Sequence, residues 1–170
     1  SYAYNIQDWI TRIKSGAFEE NLYYNSNPAG ATACYNGNIS YSTWTYNGTN
    51  KGYAYTYDGL NRLTNAAFKQ GTSTQPNGYF DETFTYDSQG NITTLKRKKD
   101  NVIMDDLAMN LTGSYNGNQL QYVNDNGVSQ NSYDVKEYQN LSTATSGEFK
   151  YDANGNMVKD KDLRFNYTRD

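Results

Sequence analysis

Aromatic and polar residues alternate along much of the chain. Tyr53, Tyr55 and Tyr57 occupy every second position of one stretch, and Phe84 with Tyr86 repeats the arrangement further on. A period of two is typical of β-strands, in which successive side chains point to opposite faces. We expect the face that carries the rings to be the buried one.

The strand patterns belong to a repeat in which each copy is marked by a tyrosine. Copies start near residues 4, 35, 57, 86, 115 and 151, and a truncated copy starts at 167. Because self-similarity at such spacings is the signature of repeat architectures, we interpret residues 1–170 as a single repeat region.

A turn follows the tyrosine in each copy. In the longer copies an aspartate comes first, and it can accept hydrogen bonds from main-chain amides two residues further on. A glycine or asparagine at the fourth position can adopt a positive φ. The shorter copies carry Asn-Gly at 36–37 and 116–117, the strongest short hairpin signal. The predicted turn residues are Tyr57, Asp58, Asn61, Tyr86, Asp87, Gly90, Asn91, Asn116, Gly117, Tyr151, Asp152, Gly155 and Asn156.

Two apolar residues three positions apart follow most turns, such as Leu63 with Ala66 and Leu120 with Val123. One such pair is too short to indicate a helix, whereas a β-bulge shifts the inward-facing register by one residue and increases the twist. The sequence therefore predicts an all-β protein of repetitive antiparallel β-hairpins that form a curved or spiralling sheet.

The amino-acid composition indicates which side chains build the interior. Only 36% of the 170 residues are hydrophobic, while 18 are tyrosine, so the core must use amphipathic rings. The aromatic content and the presence of only two prolines argue against disorder. The net charge of −3 argues against a nucleic-acid partner. The basic run at 95–100 predicts a solvated turn or an edge strand.

Residues that could carry out chemistry are few. The chain has no histidine, which removes the commonest general base and metal ligand. Cys34 is expected to be a small buried hydrophobe in a strand-like position. Asp105 and Asp106 are consecutive and should point to opposite faces, so they cannot share a proton. Each acidic turn offers one carboxylate, too few oxygens for calcium. We therefore predict no enzyme activity, no metal and no cofactor.

A second interpretation comes from the aromatic stretch at 41–55. Rings beside amides and hydroxyls suit the faces of sugars, so Tyr41, Trp44 and Tyr46 are candidate ligand-binding residues of a cell-surface carbohydrate-binding or adhesion module. The alternative is that these rings pack on the inner face of the sheet.

The turn motifs resemble a known repeat. "YDGLNRL", "YDSQGNI" and "YDANGNM" are similar to the YD repeat of the rearrangement-hotspot (Rhs) family, and "YNIQDWITRI", "NLYYN" and "YNGNIS" resemble the diverged units of Bacteroidetes-type members. The resemblance covers about residues 4–170. It implies a β-strand spiral that winds into a hollow shell, which in bacterial members commonly encloses a C-terminal toxin; similar repeats occur in insecticidal toxin complexes and in animal adhesion receptors.

By this resemblance the chain is an internal section of shell in a larger secreted or cell-surface protein. Its partners would be the flanking repeats and a C-terminal effector of the same chain, with surface glycans under the adhesion interpretation, and exposed strand edges could pair with a second copy. No proline follows an aspartate, so the family's aspartyl self-cleavage core has no counterpart. The sequence also contains neither an apolar run long enough to cross a membrane nor a secretory leader at residues 1–10.

Overall fold

The computed structural model describes residues 1–26, 28–70, 78–111, 117–128, 138, 147–160 and 165–166. Contacts divide the chain into two compact units, residues 1–83 with 98–101 and residues 84–97 with 102–170. The predicted turn residue Asn116 and the predicted copy starts at 115 and 167 lie outside the described residues.

The protein is all-β, which confirms the predicted fold class. One short 3-10 helix, Pro28–Gly30, accompanies thirteen strands among the described residues. The strands are β1 (Tyr2–Tyr4), β2 (Ile10–Ser15), β3 (Phe18–Tyr23), β4 (Tyr41–Tyr46), β5 (Thr49–Tyr57), β6 (Leu63–Gln70), β7 (Glu82–Tyr86), β8 (Ile92–Lys99), β9 (Val102–Leu111), β10 (Leu120–Asp125), β11 (Phe149–Tyr151), β12 (Met157–Asp160) and β13 (Phe165–Asn166).

Strand order follows chain order. Strands β1 to β10 are successive neighbours in a ten-stranded sheet, and β11 to β13 form a second sheet of three. Antiparallel pairing of consecutive strands produces the predicted series of hairpins. Because β8 lies between β7 and β9, the prediction of a turn or an edge strand at residues 95–100 is wrong.

Predicted bulges are present at three of the apolar pairs, those that begin at Ile10, Leu63 and Leu120. In the β5–β6 hairpin Tyr57 pairs with Leu63 but Thr56 pairs with Asn65, so Thr64 is the extra residue. The pairing of β9 with β10 shifts in the same way next to Leu120. Further register shifts occur in the β1–β2 and β11–β12 hairpins. A bulge beside the turn is therefore a recurring part of the repeat.

The Asn-Gly pair at residues 36–37 does not form the predicted two-residue hairpin. Residues 31–40 contain bends but no strand. Two main-chain bonds tie this segment to the end of β3: Cys34 N donates to Tyr24 O at 2.7 Å and Ser40 N donates to Tyr23 O at 2.8 Å. The segment is thus an excursion between β3 and β4.

Aromatic rings fill the interior of the first unit. Tyr53 of β5 stacks on Trp44 with ring centroids 5.8 Å apart, and it meets the edge of the buried Phe68 at 5.4 Å. Phe68 in turn meets Phe80 at 5.0 Å. Ring pairs at these distances add stabilisation to the area that they bury.

The second unit has a more aliphatic core. Leu107, Val123 and Phe149 are buried together. Partly buried side chains packed against them include those of Leu95 and Tyr151. The tyrosine that ends β11 therefore contributes its ring to the core.

The recurring turn as the candidate functional site

The most regular feature of the molecule is a five-residue turn that joins the strands of four hairpins. Its first residue is an aspartate or asparagine whose Oδ1 accepts two main-chain N–H bonds, from the third and fifth residues. In the Asp87 turn both bonds measure 2.9 Å, from Gln89 and Asn91. The same pair of bonds occurs at Asn5, Asp58 and Asp152, with distances of 2.8–3.0 Å.

The main chain closes each of these turns in the same way. The amide of the first residue donates to the carbonyl of the fifth, and the amide of the fourth donates to the carbonyl of the first. The fourth residue always has a positive φ. These φ values are +60° at Asp8, +63° at Asn61, +93° at Gly90 and +84° at Gly155. Glycine and asparagine suit this position because they adopt the left-handed conformation at low cost.

The second carboxylate oxygen is bonded to the fifth side chain. Asp58 Oδ2 accepts a bond from Arg62 Nε at 2.7 Å, and Asp87 and Asp152 accept one from an asparagine Nδ2 at 2.8 Å. The amides of the Asp58 turn, first that of Arg62, lower the pKa of the Asp58 carboxyl. The Asn91 side chain makes the leading contribution to the lowered pKa of Asp87. Both carboxylates contribute stability above their unfolded pKa, and this contribution is lost as the pH falls through the folded value.

Within each compact unit, neighbouring turns and bends contact one another. In the first unit the Trp9 ring lies 3.4 Å from the place where a Cβ on Gly37 would be, and Asn36 Nδ2 donates to Asn61 Oδ1 at 2.6 Å. The Asn5 turn, the bend at residues 36–37 and the Asp58 turn are thereby joined in a row.

Three turns of the second unit form an equivalent row. Asn91 Nδ2 donates to Gly117 O at 3.1 Å and to Asn118 Oδ1 at 2.9 Å. Gln119 Nε2 then lies 3.8 Å from the Cβ position of Gly155 in the following turn. Uncharged amide side chains therefore connect consecutive repeats at their turns.

Tyrosines that precede or lie between the turns are anchored through their hydroxyls. Tyr57 donates to Ile39 O at 2.8 Å, Tyr53 donates to Phe80 O at 3.1 Å, and Tyr24 donates to Ile10 O at 2.8 Å. Burial raises the pKa of both Tyr53 and Tyr57 to about 12. The rings provide apolar area, and the hydroxyls satisfy carbonyls of neighbouring segments.

The candidate sugar platform is split between two faces. Tyr41, Trp44 and Tyr46 all belong to β4, whose pairing with β3 and β5 shows no register shift. Trp44 and Tyr46 share one face, and Tyr41 is on the other. Tyr41 is buried 5.8 Å from the Tyr23 ring, and Trp44 packs on Tyr53. The three rings do not form one platform.

The two consecutive aspartates of β9 form ion pairs with different basic side chains. Asp105 is fully buried, forms an ion pair with Arg97 and accepts a bond from Tyr138 N at 2.7 Å. Asp106 pairs with Lys96 at 3.0 Å. The basic run of β8 thus supplies partners to carboxylates.

Cys34 and the acidic side chains are the remaining candidate groups. Cys34 is half-buried and lies outside any strand, unlike the buried strand position predicted for it. Burial raises the pKa of its thiol, which lowers its reactivity. The part of the chain that the structure describes contains no cluster of three or more Cys, Asp or Glu side chains suited to a metal ion. No helix within those described residues is both long and apolar enough to cross a bilayer.

Several residues of the rows were not among the predicted turn residues. Asn5 leads the first turn and Asn36, Gln89 and Asn118 contact neighbouring turns. Asn5 directly follows Tyr4, as Asp58 follows Tyr57, so its place in the repeat was enough to predict that it leads a turn. The contacts between turns had no such signal, because they join residues 25–27 positions apart.

Comparison with models of known protein families found no match, and a search of curated proteins found no significant relative.

Proposed function

We propose that this chain is a non-enzymatic structural β-scaffold, a section of an Rhs-type YD-repeat shell that encloses or presents a C-terminal effector. The observation that carries the proposal is the recurring turn, which repeats the same hydrogen bonds in four hairpins and is joined to its neighbours in rows. These bonds fix the geometry of one hairpin relative to the next. A protein that forms the wall of a shell needs this fixed geometry and does not need a reactive site.

The sequence motifs add the family interpretation to this geometry. The three near-consensus Tyr-Asp motifs resemble the YD repeat, and that resemblance also supports a secreted or cell-surface location. The carboxylates of Asp58, Asp87 and Asp105 accept bonds from groups of the same chain, which agrees with a structural role.

A full-length natural protein containing these 170 residues would test the proposal. We expect electron microscopy to show a hollow particle, and limited proteolysis to spare the downstream effector while the wall is intact. Gly90→Val together with Gly155→Val should expose the effector to protease, because both changes strain the turns.

Gly59→Val is the matched control, since Gly59 belongs to a turn but lies outside the positive-φ region and faces open space. A solid particle, or a downstream segment equally accessible in the parent and the double variant, would contradict the shell. Hydrolysis of a polysaccharide by the purified chain would contradict the non-enzymatic assignment.

A further inference from the structure

A cleft of about 270 Å³ lies within the first unit, where the excursion between β3 and β4 faces the Asp58 turn. Its lining includes Cys34, Tyr35, Asn38, Tyr57, Asp58 and Asn61. This volume is just below the range of about 300–1,000 Å³ typical of ligand pockets, so the cleft suits one small unit rather than an extended polymer.

The walls of the cleft are held in place by contacts already formed. The Asn36–Asn61 hydrogen bond closes one side, and Tyr57 donates to Ile39 O on another. The bend at Gly37 rests against the Trp9 ring. A ligand would therefore not have to order these segments, which reduces the entropic cost of binding.

The groups that face the cleft are suited to hydroxyls and to an apolar ring face. Tyr35 is 79% exposed, which leaves its ring available for stacking. The side chain of Asn38 offers an amide donor and an acceptor, and Asn61 offers Nδ2 as a donor, since its Oδ1 accepts the bond from Asn36. A carboxylate can accept about four hydrogen bonds, and Asp58 accepts three from within its own hairpin.

Charge narrows the class of ligand. Asp58 is ionised at neutral pH, since hydrogen bonds from its own turn lower its pKa. A carboxylate at the wall disfavours anions, whereas it accepts hydrogen bonds from hydroxyl groups. The lining therefore matches a neutral polyhydroxylated molecule with one apolar face, which is the chemistry of a pyranose sugar.

We propose that this cleft binds a single neutral sugar unit, with Tyr35 stacked on the C–H face of the ring and with Asn38 and Asp58 bonded to its hydroxyls. The site is separate from the β4 aromatics, and it does not depend on the scaffold function. A scaffold with such clefts would hold glycan on its surface without modifying it.

Titration of the folded chain with glucose, galactose, mannose and N-acetylglucosamine, followed by saturation-transfer NMR, tests the site. At least one of these sugars should bind at millimolar concentration. Tyr35→Ala should weaken that binding tenfold or more, which corresponds to about 1.4 kcal/mol. Tyr46→Ala is the matched control, because Tyr46 is 59% exposed and does not line the cleft, and its affinity should stay within twofold of the parent.

Cys34 provides a second measurement at the same place. It is the one cysteine of the chain and lines the cleft, so bound sugar should slow its alkylation by iodoacetamide. Circular dichroism of Tyr35→Ala should match that of the parent, since the ring is mostly exposed. The proposal is overturned if none of the four sugars binds, if Tyr35→Ala binds like the parent, or if only Tyr46→Ala loses binding.

Discussion

The hairpins closed by Asp58 and Asp87 use the same first residue and different later ones. Both carboxylates accept two main-chain amides at 2.9 Å through Oδ1. The fourth residue is Asn61 in one turn and Gly90 in the other, both with a positive φ. The fifth is Arg62 in one and Asn91 in the other, and each bonds to Oδ2 of the leading carboxylate.

The difference decides how each turn reaches its neighbour. In the Asp87 turn the fourth residue has no side chain, and Asn91 makes the bonds to Gly117 and Asn118. In the Asp58 turn the contact to Asn36 comes from the fourth residue, Asn61. The first residue therefore fixes the geometry of the turn, while the side chain that bonds to the neighbouring repeat can come from either the fourth or the fifth residue.

The largest difference between the two hairpins should appear at alkaline pH. Burial raises the pKa of Tyr53 and Tyr57, both in β5, to about 12. The folded values lie above the unfolded value of about 10, so this stability is present below pH 10 and is lost as the pH rises toward 12. Each tyrosine accounts for on the order of 2 kcal/mol at full ionisation. Urea unfolding from pH 9 to 12 measures the loss.

Tyr57→Phe sharpens this prediction. Phenylalanine keeps the ring but cannot ionise, so the variant should lose less stability between pH 10 and 12 than the parent. It should also be less stable at pH 8, since Ile39 O loses its donor. Identical pH profiles for parent and variant would contradict the assignment of the alkaline loss to β5.

A somewhat smaller effect is expected from valine at the fourth turn position. Gly90→Val and Asn61→Val should each lower the free energy of unfolding by about 1–2 kcal/mol, because a β-branched residue is strained at positive φ. No atom lies within 4 Å of the Cβ position at Gly90, so overlap does not contribute there. Denaturant midpoints at neutral pH measure both losses.

Two controls separate backbone strain from the loss of a glycine as such. Gly59→Val should cost clearly less than Gly90→Val, since Gly59 also faces open space but is not left-handed. Gly90→Asn should be tolerated, because Asn61 occupies the equivalent place. Equal losses for Gly59→Val and Gly90→Val would refute the role of the fourth position.

The sequence predicted the parts of the fold that depend on local chemistry. Alternation along 53–57 predicted β5, the first and fourth turn positions predicted the turn geometry at Asp87 and Gly90, and the three-residue apolar spacing predicted the bulge after Leu63. These features arise from interactions within about nine residues, as between Thr56 and Asn65. A single hairpin contains all the information that they need.

Features that depend on distant residues were not predicted. The Asn-Gly signal at 36–37 favoured a hairpin, but main-chain bonds from Cys34 and Ser40 to the end of β3 placed it in an excursion. The basic run of β8 suggested an edge strand. In the fold its charges are paired with Asp81, Asp105 and Asp106, and these pairings cannot be read from the run itself. The cleft between the excursion and the Asp58 turn was not predicted either, because its lining residues come from two separate segments of the chain.

The smallest effect, and the most specific one, should come from the amide contacts that join turns. A double-mutant cycle of Asn36→Ala with Asn61→Ala should give a coupling of about 0.5–1 kcal/mol, as expected for one partly exposed hydrogen bond. A cycle of Asn91→Ala with Asn118→Ala should give a similar value, because the cycle subtracts the separate loss of the bond from Asn91 to Asp87. Asn61→Ala with Thr49→Ala is the control, since Thr49 begins the nine-residue β5 and Asn61 lies beyond its other end. Coupling within about 0.3–0.5 kcal/mol of zero in the control and in both test pairs would mean that the turns stand side by side without stabilising one another.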